Sequence, residues 1–420
     1  MNSYDSDVYS EYLLSRGLIE VNTEDEADLI LINTCAVRQK SVDKSKNLLK
    51  QLAYKKLKKN IAVCLLGCAT DLPDYTDLKN NQCIDFMSGP LNSMVVKSEF
   101  EKFIDNFLAE ISFYRKDKLL HSNYSKISAY LPVIHGCNTF CSYCIVPLVR
   151  GREVSVPMDD IVSEIIHGTE KGICEWTLLG QNVNHYGKDL GHEEGQFPEL
   201  LDAVASLSKV VRLDFLTSHP RDFNTRILEI MLKHEKIYRH FHLPLQSGDD
   251  EILERMRRGY STTQYKNLIQ QIRDCFPLAS LTTDIIVGFP GETEKQYLNT
   301  LKMIEQIGFD TVYAAVYSHR PGTLASTYIE KVYPEQNKER LRHLLDVQRN
   351  ISKKRINRFL NNYNQVFITK DLQNSYYEAK TLEEKTIILF SSKQLKLGDI
   401  VKVWIKDIQK GQLMGEIFQP

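Results

Sequence analysis

The segment HGCNTFCSYCIVPLVRGREVS (residues 135–155) places three cysteines, Cys137, Cys141 and Cys144, within eight residues. It continues an apolar run, YLPVIHG (130–136), whose length and composition predict a strand. Further strand and helix patterns follow in alternation, as expected of a full or partial (β/α) barrel. Barrel enzymes carry their chemistry on the loops that follow the strands, so the spacing of these thiols predicts a metal site on the first such loop.

The number of thiols in this loop indicates what they bind. Three thiolates can hold three irons of a [4Fe–4S] cluster and leave the fourth iron free for a ligand other than protein. A structural zinc site would instead require four ligands, usually as two closely spaced pairs. Three unrelated buried cysteines are the remaining interpretation of the same spacing. We therefore expect Cys137, Cys141 and Cys144 to hold an iron–sulfur cluster with one open position.

The composition is that of a folded globular chain, with 420 residues, 42% hydrophobic residues, 25% charged residues and a formal net charge of −1. Any nucleic-acid partner would therefore have to meet local basic patches. The polar start MNSYDSDVYSEYLL is unlike a signal peptide, and no run of apolar residues is long enough to predict a membrane span. Nine cysteines without a signal peptide favour metal ligands in a reducing cytoplasm, so we expect a cytoplasmic protein. We also expect a monomer.

Residues 1–115 form the first predicted domain, an α/β unit. Its apolar runs are continuous, which is typical of strands that are buried on both faces of a small parallel sheet. Cys35 and Cys68 fall at the C-terminal ends of two such strands, where parallel sheets place their sites. The predicted elements are a helix at 10–18, a strand at 27–35, a helix at 40–59 and a strand at 61–69.

Two further domains are predicted, a central partial (β/α) barrel at residues 130–360 and a small all-β barrel at 363–420. The central domain ends in a long basic helical pattern at 338–362. The last segment alternates apolar and polar residues between turns, which is typical of a small barrel. The predicted elements of the central domain are strands at 130–136, 175–181, 210–218, 238–247 and 279–290 and helices at 158–172 and 224–234.

These motifs resemble a known family. The spacing C-x₃-C-x₂-C with an aromatic residue, Tyr143, before the last cysteine resembles the radical S-adenosylmethionine superfamily, and GCNTFCSYCIVPLVRGREVSVP (136–157) resembles its methylthiotransferases. The resemblance continues in order over essentially the whole chain, through TLLGQNVN (177–184), HLPLQSGDDEILERMRRGY (242–260), TTDIIVGFPGET (282–293) and a terminal β-barrel that resembles a TRAM domain. It implies that the open iron chelates the amino and carboxylate groups of S-adenosylmethionine, whose one-electron cleavage gives a 5′-deoxyadenosyl radical.

The same resemblance assigns contacts with S-adenosylmethionine along the predicted barrel, and Tyr143 belongs to this cofactor site. Considered without the family, the same positions are those of strand ends and of a turn into a helix. By resemblance, the contacts are Gly180, Gln181 and Asn182 with the methionine amino group, Gln246 and Ser247 with the ribose, and Asp284, Gly288 and Gly291 with the adenine.

Methylthiotransferases carry a second, auxiliary [4Fe–4S] cluster on three cysteines of the N-terminal domain. By resemblance, NTCAVR supplies Cys35 and LLGCAT supplies Cys68. The family's first ligand belongs to a motif that MNSYDSD matches only from its methionine onward, so we expect the true start to lie upstream. Cys64 or Cys83 could instead be the third ligand, or the auxiliary cluster could be weakly bound or absent. The second cluster implies that a sulfide, methylated by S-adenosylmethionine, is delivered to a carbon radical.

Two basic segments indicate the substrate class. Residues 38–59 hold nine Lys or Arg against the single acid Asp43, and residues 338–362 hold eight against Glu339 and Asp346. Such runs are often solvated helix faces, but two of them beside a radical site and a β-barrel of nucleic-acid-binding type favour a surface that follows RNA phosphates. The reachable target is then a base in an RNA loop, since C2 of an adenine becomes accessible only when the base leaves the stack.

Within the family, NTCAVR, RGREVS and LLGQNVN most resemble the subgroup that methylthiolates N6-isopentenyladenosine at tRNA position 37, so the predicted partner is the tRNA anticodon loop. Sister subgroups act on N6-threonylcarbamoyladenosine in the same loop and on an aspartate of a ribosomal protein. An alternative from another class is a cluster-containing RNA-binding protein without turnover. The predicted activity also requires a reductant such as flavodoxin or ferredoxin and a sulfur donor that the sequence does not identify.

Two pairs of residues have open roles. Tyr376 and Tyr377 in the small barrel would either stack on bases or pack in its core. Arg150 and Arg152, which follow the cysteine loop, would contact the substrate or the cofactor carboxylate, or pair with Asp159 or Asp160.

Overall fold

The computed structural model describes residues 2–37, 39–56, 61–71, 75, 83–89, 94–112, 127–329 and 333–417. The chain divides into two compact units, of which the first comprises residues 1–124, 135–138 and 144–153, and the second comprises residues 125–134, 139–143 and 154–420. The cysteine loop contributes to both units, since Cys137 and Cys144 belong to the first and Cys141 belongs to the second.

The first unit contains a three-stranded parallel sheet with helices on both faces. Val63 and Leu65 pack on the side of one helix, whereas Cys64 and Leu66 pack on the side of the other two, as the period of two along a strand requires. This confirms the predicted strand that is buried on both faces. In order across the sheet, the strands are β1 (Leu29–Thr34), β2 (Ala62–Gly67) and β3 (Phe86–Ser88). The helices are α1 (Asn2–Ser15), α2 (Gln39–Lys56) and α3 (Met94–Ser112).

The second unit contains six parallel strands in chain order, which form the predicted partial barrel. The first three strands are hydrogen-bonded to one another, as are the last three, and a parallel bridge between Leu213 and Ile237 joins the two groups. The strands are β4 (Ser128–Pro132), β7 (Glu175–Leu179), β8 (Arg212–Leu216), β9 (His240–His242), β10 (Ser280–Val287) and β11 (Thr311–Val316). Along the chain, β5 (Ile134–His135) and β6 (Val154–Ser155) stand before and after the cysteine loop.

Helices follow the barrel strands and supply the outer layer of the main core. Ser261 and Thr293 begin two of these helices with capping boxes, in which the hydroxyl accepts from the backbone of the third helical residue. The short helix α4 (Val146–Val149) belongs to the first unit, and the helices of the second unit are α5 (Met158–Glu170), α6 (Phe197–Ser206), α7 (Arg226–Lys233), α8 (Asp250–Arg255), α9 (Thr262–Cys275), α10 (Glu294–Ile307) and α11 (Pro334–Ile356). Among the described helices, none combines the length and the apolar character needed to cross a bilayer.

The last five strands close into a small barrel, as the alternating pattern predicted. Tyr377 packs in its core, and the Tyr377 hydroxyl accepts from the Leu395 amide at 3.3 Å. Tyr376 is 45% exposed and meets the Phe390 ring edge-on, so only Tyr376 remains open to a base. Around the barrel the strands run in the order β12 (Asn362–Asp371), β13 (Tyr376–Thr381), β14 (Thr386–Phe390), β16 (Gln412–Ile417) and β15 (Ile400–Gln409).

Buried charges link the small barrel to the N-terminal ends of the large barrel's strands. Asp310, which immediately precedes β11, accepts a hydrogen bond from Arg358 at 2.7 Å, and the Lys385 ammonium lies 3.5 Å from the same carboxylate oxygen. His240, the first residue of β9, has Nδ1 3.0 Å from Oε2 of Glu384. Lys385 and Glu384 belong to the turn between β13 and β14, so this turn is the point of attachment within the second unit.

Candidate active site

The first turn of the cysteine loop is held by the RGRE segment that follows the loop. Gly136 has a φ of +74°, and a Cβ at this position would lie 2.0 Å from the Arg152 carbonyl oxygen. The Cys137 amide donates to the Gly151 carbonyl at 3.2 Å. Because the two backbones come this close, only glycine fits at position 136, and the backbone of Cys137 is fixed.

Both ends of the loop are anchored within the first unit. The Asn138 amide donates to the Glu153 carboxylate at 2.9 Å, and the Glu153 amide donates back to the Asn138 side-chain oxygen at 3.3 Å. Cys144 is followed by Ile145 and Val149, which pack in the core on the α2 side of the sheet. Two of the three predicted cluster ligands therefore stand on rigid supports.

Arg150 lies inside the first unit, with Nη2 3.3 Å from Oδ2 of Asp5. Both side chains are less than a tenth exposed, so this ion pair is buried. The structure thus gives Arg150 a partner that the sequence alternatives, Asp159 and Asp160, did not include. Arg152, in contrast, is exposed.

The structure brings Cys35 and Cys68 to the same edge of the sheet. Thr34 at the end of β1 is in register with Gly67 at the end of β2, so the next residue of each strand is a cysteine. Burial raises the pKa of the Cys68 thiol, the guanidinium of Arg150 opposes that rise, and the nearby Cys35 sulfur adds to it. This edge therefore holds two thiols beside one buried cation.

Cys64 and Cys83, the two alternative third ligands, lie elsewhere in the first unit. Cys64 packs with Tyr9 on the face opposite Cys68. Cys83 donates to the Leu49 carbonyl at 3.5 Å and precedes β3, at the N-terminal edge of the sheet. That edge is separated from Cys68 by the length of β2, roughly 20 Å at 3.3 Å per residue. Neither alternative third ligand from the sequence analysis therefore lies at the edge with Cys35 and Cys68.

The central part of the cysteine loop is held by the end of α8 within the second unit. The Ser142 amide donates to the Met256 carbonyl at 3.1 Å, and the Ser142 hydroxyl donates to the Arg255 carbonyl at 2.8 Å. The Ala325 amide donates in turn to the Ser142 carbonyl at 2.7 Å. Tyr143 packs against an apolar cluster of this unit. The residue after Cys141 is thus fixed by three hydrogen bonds.

The predicted methionine-binding segment follows β7. A Cβ at Gly180 would lie 2.5 Å from the Ile134 side chain, so glycine allows β5 to pack against the end of β7. Asn182 is buried and engaged, because its amide nitrogen donates to Asp222 at 3.0 Å and its oxygen accepts from the His219 amide at 3.2 Å. Gln181 is partly exposed and is the polar side chain of this segment that the fold leaves accessible.

The predicted ribose contacts differ in availability. Gln246 has a φ of +71° and is 8% exposed, and its side-chain oxygen is buried without a hydrogen-bond partner among the described residues. Ser247 is fully buried, with its hydroxyl 3.3 Å from that of Thr300, and it accepts from the Asp249 amide at 3.3 Å. Gln246 therefore offers an unused acceptor to a ligand, whereas the Ser247 hydroxyl is used by the fold.

On the predicted adenine-binding strand, one residue is likewise accessible and another is used by the fold. The Asp284 carboxylate is about a third exposed and lies 3.5 Å from Nε2 of His242. Gly288 has a φ of +72°, and a Cβ there would lie 2.1 Å from the Asn337 side chain. Its amide donates to the Glu292 carboxylate at 2.7 Å. Gly288 thus permits close packing, while Asp284 remains accessible.

The sequence analysis assigned no role to a group of polar side chains in and around the segment LTSHPRD (216–222). Nε2 of His185 lies 2.9 Å from Oδ2 of Asp222, and Arg221 donates to the other oxygen at 2.8 Å. Burial works to raise the pKa of Asp222, but these hydrogen bonds hold it well below its usual range. Burial, and then the charge of Arg258, lower the pKa of His219 to about 2, so this imidazole is neutral.

Several basic side chains of the two helices are paired with acidic residues of the protein. Arg340 in α11 donates to Glu294 at 2.8 Å, and Lys55 in α2 donates to Glu24 at 2.8 Å. The surface that could follow RNA phosphates is therefore smaller than the count of basic residues indicates. The exposed basic residues are Lys40, Lys44 and Lys50 on α2 and Lys338, Arg342, Arg349, Lys353 and Lys354 on α11, of which Lys338 and Arg349 each pair with an acid of the same helix.

Comparisons with known proteins agree with this arrangement. The Radical SAM superfamily matches residues 131–304, and the Uncharacterized protein family UPF0004 matches residues 1–89. Among solved structures, the radical S-adenosylmethionine methyltransferase TsrM from Kitasatospora setae, with tryptophan and a cofactor analogue bound, gives a TM-score of 0.51. It is 12% identical and covers 76% of this chain and 67% of its own, so the likeness is one of fold. These findings define the chain as a radical S-adenosylmethionine protein.

Full-length relatives narrow the class. Proteins of Dictyoglomus thermophilum and Thermosipho melanesiensis are each 35% identical to this chain and cover 100% of it, over 96% and 97% of their own lengths. Both are named tRNA-2-methylthio-N(6)-dimethylallyladenosine synthase. The chain therefore belongs to the radical S-adenosylmethionine methylthiotransferase family and is an enzyme, as the sequence analysis predicted.

Proposed function

We propose that this enzyme transfers a methylthio group to C2 of N6-isopentenyladenosine at position 37 of tRNA. The observation that carries the proposal is the 35% identity, over the whole chain, to relatives named as synthases of this modification. That match spans both groups of cysteines and the small barrel. We infer a monomer that acts in the cytoplasm on the tRNA anticodon loop and takes electrons from a flavodoxin or a ferredoxin.

The donor groups fit the cofactors of such a reaction. The three cysteines of the loop would hold one [4Fe–4S] cluster with an open iron, and Cys35 and Cys68 would bind two irons of a second. When bound, these groups and S-adenosylmethionine supply the activated sulfur and the radical that removes hydrogen from the substrate carbon. The unpaired, buried oxygen of Gln246 is the feature of the barrel that fits a bound ligand.

The chain's own residues divide into two groups in this proposal. Gln181, Gln246 and Asp284 have accessible or unused polar atoms, and we assign them to contacts with S-adenosylmethionine. Asn182 and Ser247 are engaged in hydrogen bonds of the fold, so we assign them to supporting the backbone that carries the first group.

Nucleoside mass spectrometry on tRNA tests the function. A bacterial host that lacks its own methylthiotransferase is complemented with the full chain, with Cys141→Ala, with Cys35→Ala, or with Cys275→Ala as a matched control outside both sites. We expect 2-methylthio-N6-isopentenyladenosine with the unchanged chain and Cys275→Ala, and its loss with the other two.

The same experiment distinguishes the alternatives. Methylthiolated N6-threonylcarbamoyladenosine in place of the expected product would replace the proposed substrate. Unmodified tRNA, together with no 5′-deoxyadenosine from the purified and reconstituted protein, would indicate an RNA-binding protein without turnover. Formation of 5′-deoxyadenosine with unmodified tRNA would place the fault at the auxiliary site.

A further inference from the structure

At the end of α8, two neighbouring arginines differ in exposure. Arg257 has a φ of +57°, and the Arg258 amide donates to the Leu253 carbonyl at 2.9 Å, which is the geometry that ends many helices. As a result the Arg257 side chain is exposed, whereas Arg258 is 4% exposed. The left-handed backbone at Arg257 thus brings the Arg258 guanidinium next to Cys141 of the cysteine loop.

The guanidinium of Arg258 is held by three groups. Nη2 donates to the Pro244 carbonyl at 2.7 Å, and Nε lies 3.3 Å from the Tyr260 hydroxyl. Nη1 lies 3.2 Å from Sγ of Cys141, which is a normal distance for a hydrogen bond to sulfur. Two contacts thus orient the group, and the third directs it at a predicted cluster ligand.

The part of the chain that the structure describes places no carboxylate in direct contact with the charge of Arg258. Among the residues that the structure describes, no aspartate or glutamate oxygen lies within salt-bridge distance of this guanidinium. Arginine remains protonated in proteins, and a buried charge is costly unless an opposite charge or a set of hydrogen bonds compensates it. The sulfur of Cys141, as a thiolate, is the anionic group in contact with it.

The cysteine loop is also held by hydrogen bonds that do not involve the Arg258 side chain. Ser142 is fixed through its amide and hydroxyl to the carbonyls of Met256 and Arg255, which are backbone atoms. Replacing the Arg258 side chain leaves these bonds in place. The contact with Cys141 therefore has an electrostatic consequence that can be separated from loop placement.

We propose that Arg258 is a positioning residue that donates a hydrogen bond to the Cys141 thiolate and raises the reduction potential of the iron–sulfur cluster on the loop. Hydrogen bonds and positive charge at cluster sulfurs stabilise the reduced, more negative state. The inference rests on the cluster of the proposed function, but not on the identity of the nucleoside.

The test measures the potential of this cluster in the full chain. A Cys35→Ala/Cys68→Ala background removes the auxiliary ligands, so that EPR-monitored redox titration of the reconstituted protein reports one cluster. In this background we compare Arg258→Met with Arg257→Met, which removes the neighbouring exposed charge. We expect Arg258→Met to reduce the equilibrium constant for one-electron reduction at least tenfold, or about 59 mV, and Arg257→Met to leave it unchanged. Equal potentials in all three proteins would overturn the proposal.

A second measurement applies if Arg258→Met does not retain iron. Pulsed EPR on the reduced background protein, grown with ¹⁵N-arginine, detects nitrogen that is coupled to the cluster spin through the hydrogen bond. We expect a ¹⁵N coupling that persists in Arg257→Met and is absent from Arg258→Lys, which keeps a positive charge but carries no ¹⁵N label. The absence of any ¹⁵N coupling before substitution contradicts the proposal.

The two proposals fail in different ways. A shifted potential with no methylthiolated nucleoside from the enzyme with both sites intact would refute the proposed function and leave the role of Arg258 standing. Detection of the expected nucleoside together with an unshifted potential would refute the role of Arg258 and leave the proposed function standing.

Discussion

Replacing Asp310 with asparagine should loosen the attachment of the small barrel. The Asp310 side chain is 2% exposed, and its carboxylate lies 2.7 Å from Arg358, 3.4 Å from Arg355 and 3.5 Å from Lys385. Asparagine preserves the volume but removes the negative charge that these three cations share. Breaking a buried ion pair from one side typically costs about 3–5 kcal/mol, because the partner charge stays buried without compensation. We expect a loss of unfolding free energy in that range.

The assay follows unfolding in urea by tryptophan fluorescence. The chain has two tryptophans, Trp176 in the large barrel and Trp404 in the small one. A Trp176→Phe background leaves Trp404 as a reporter of the small barrel alone. The matched control is Asp346→Asn, since this carboxylate also contacts an arginine, Arg349 at 2.8 Å, but both side chains are more than half exposed. Exposed pairs contribute about 0.2–1 kcal/mol, so the control should change little.

The pH dependence gives an independent check. Burial works to raise the pKa of Asp310, but the charges of Lys385, Arg358 and Arg355 lower it below the usual value. Its stabilisation is therefore complete above the pKa of the unfolded chain and is lost as the pH falls through the lower folded value. The difference between Asp310→Asn and the parent should shrink on acidification. A difference of less than 1 kcal/mol near neutral pH would refute the reasoning.

Two further predictions concern the loop and the barrel junction. Gly136→Ala should reduce iron bound per chain, because its Cβ would meet the Arg152 carbonyl at 2.0 Å. Gly151→Ala, at nearly the same positive φ but with nothing within 4 Å, should retain the iron in an assay of protein-bound iron; equal losses would contradict this. Although burial opposes it, Asp214 and Glu384 raise the pKa of His240 to about 9. Its stabilisation should therefore be complete below about pH 6.5 and decline as the pH rises towards 9, so the gap in urea midpoint between the parent and His240→Gln should narrow over this window. A constant gap would show that His240 is not charged.

The elements and the cysteine positions could be predicted because they depend on local pattern. Continuous apolar runs gave two neighbouring strands, and Cys35 and Cys68 each follow one of them. Parallel pairing in register, Thr34 with Gly67, then brings both to one edge. Three thiols within eight residues likewise indicate a metal site before any contact is known.

What could not be predicted depends on contacts between distant residues. Arg257 and Arg258 are neighbours of the same residue type, yet the left-handed backbone of Arg257 at the end of α8 leaves Arg257 exposed and Arg258 buried. Ser247 matches a ribose contact by resemblance, but its hydroxyl is already used by the Asp249 amide near Thr300 on α10. No periodicity encodes either outcome.

The basic helix α11 shows the same limit for charge. Its arginines and lysines predicted a surface for RNA phosphates, yet Arg355 turns to Asp310, more than 40 residues earlier in the chain. Counting charges along a helix does not show which of them the fold has already neutralised.

The place where the small barrel is attached sets its distance from the cysteine loop. The turn between β13 and β14 meets the first residues of the large barrel's strands, as in the contact of Glu384 with His240 at 3.0 Å, whereas Cys141 and Arg258 lie beyond the opposite, C-terminal ends. The eight residues of β10 separate the two ends by roughly 25 Å at 3.3 Å per residue. A free nucleoside is too short to touch both, while a folded RNA hairpin is long enough. The proposed tRNA substrate is therefore long enough to reach both ends of the large barrel, whereas its modified nucleoside alone is not.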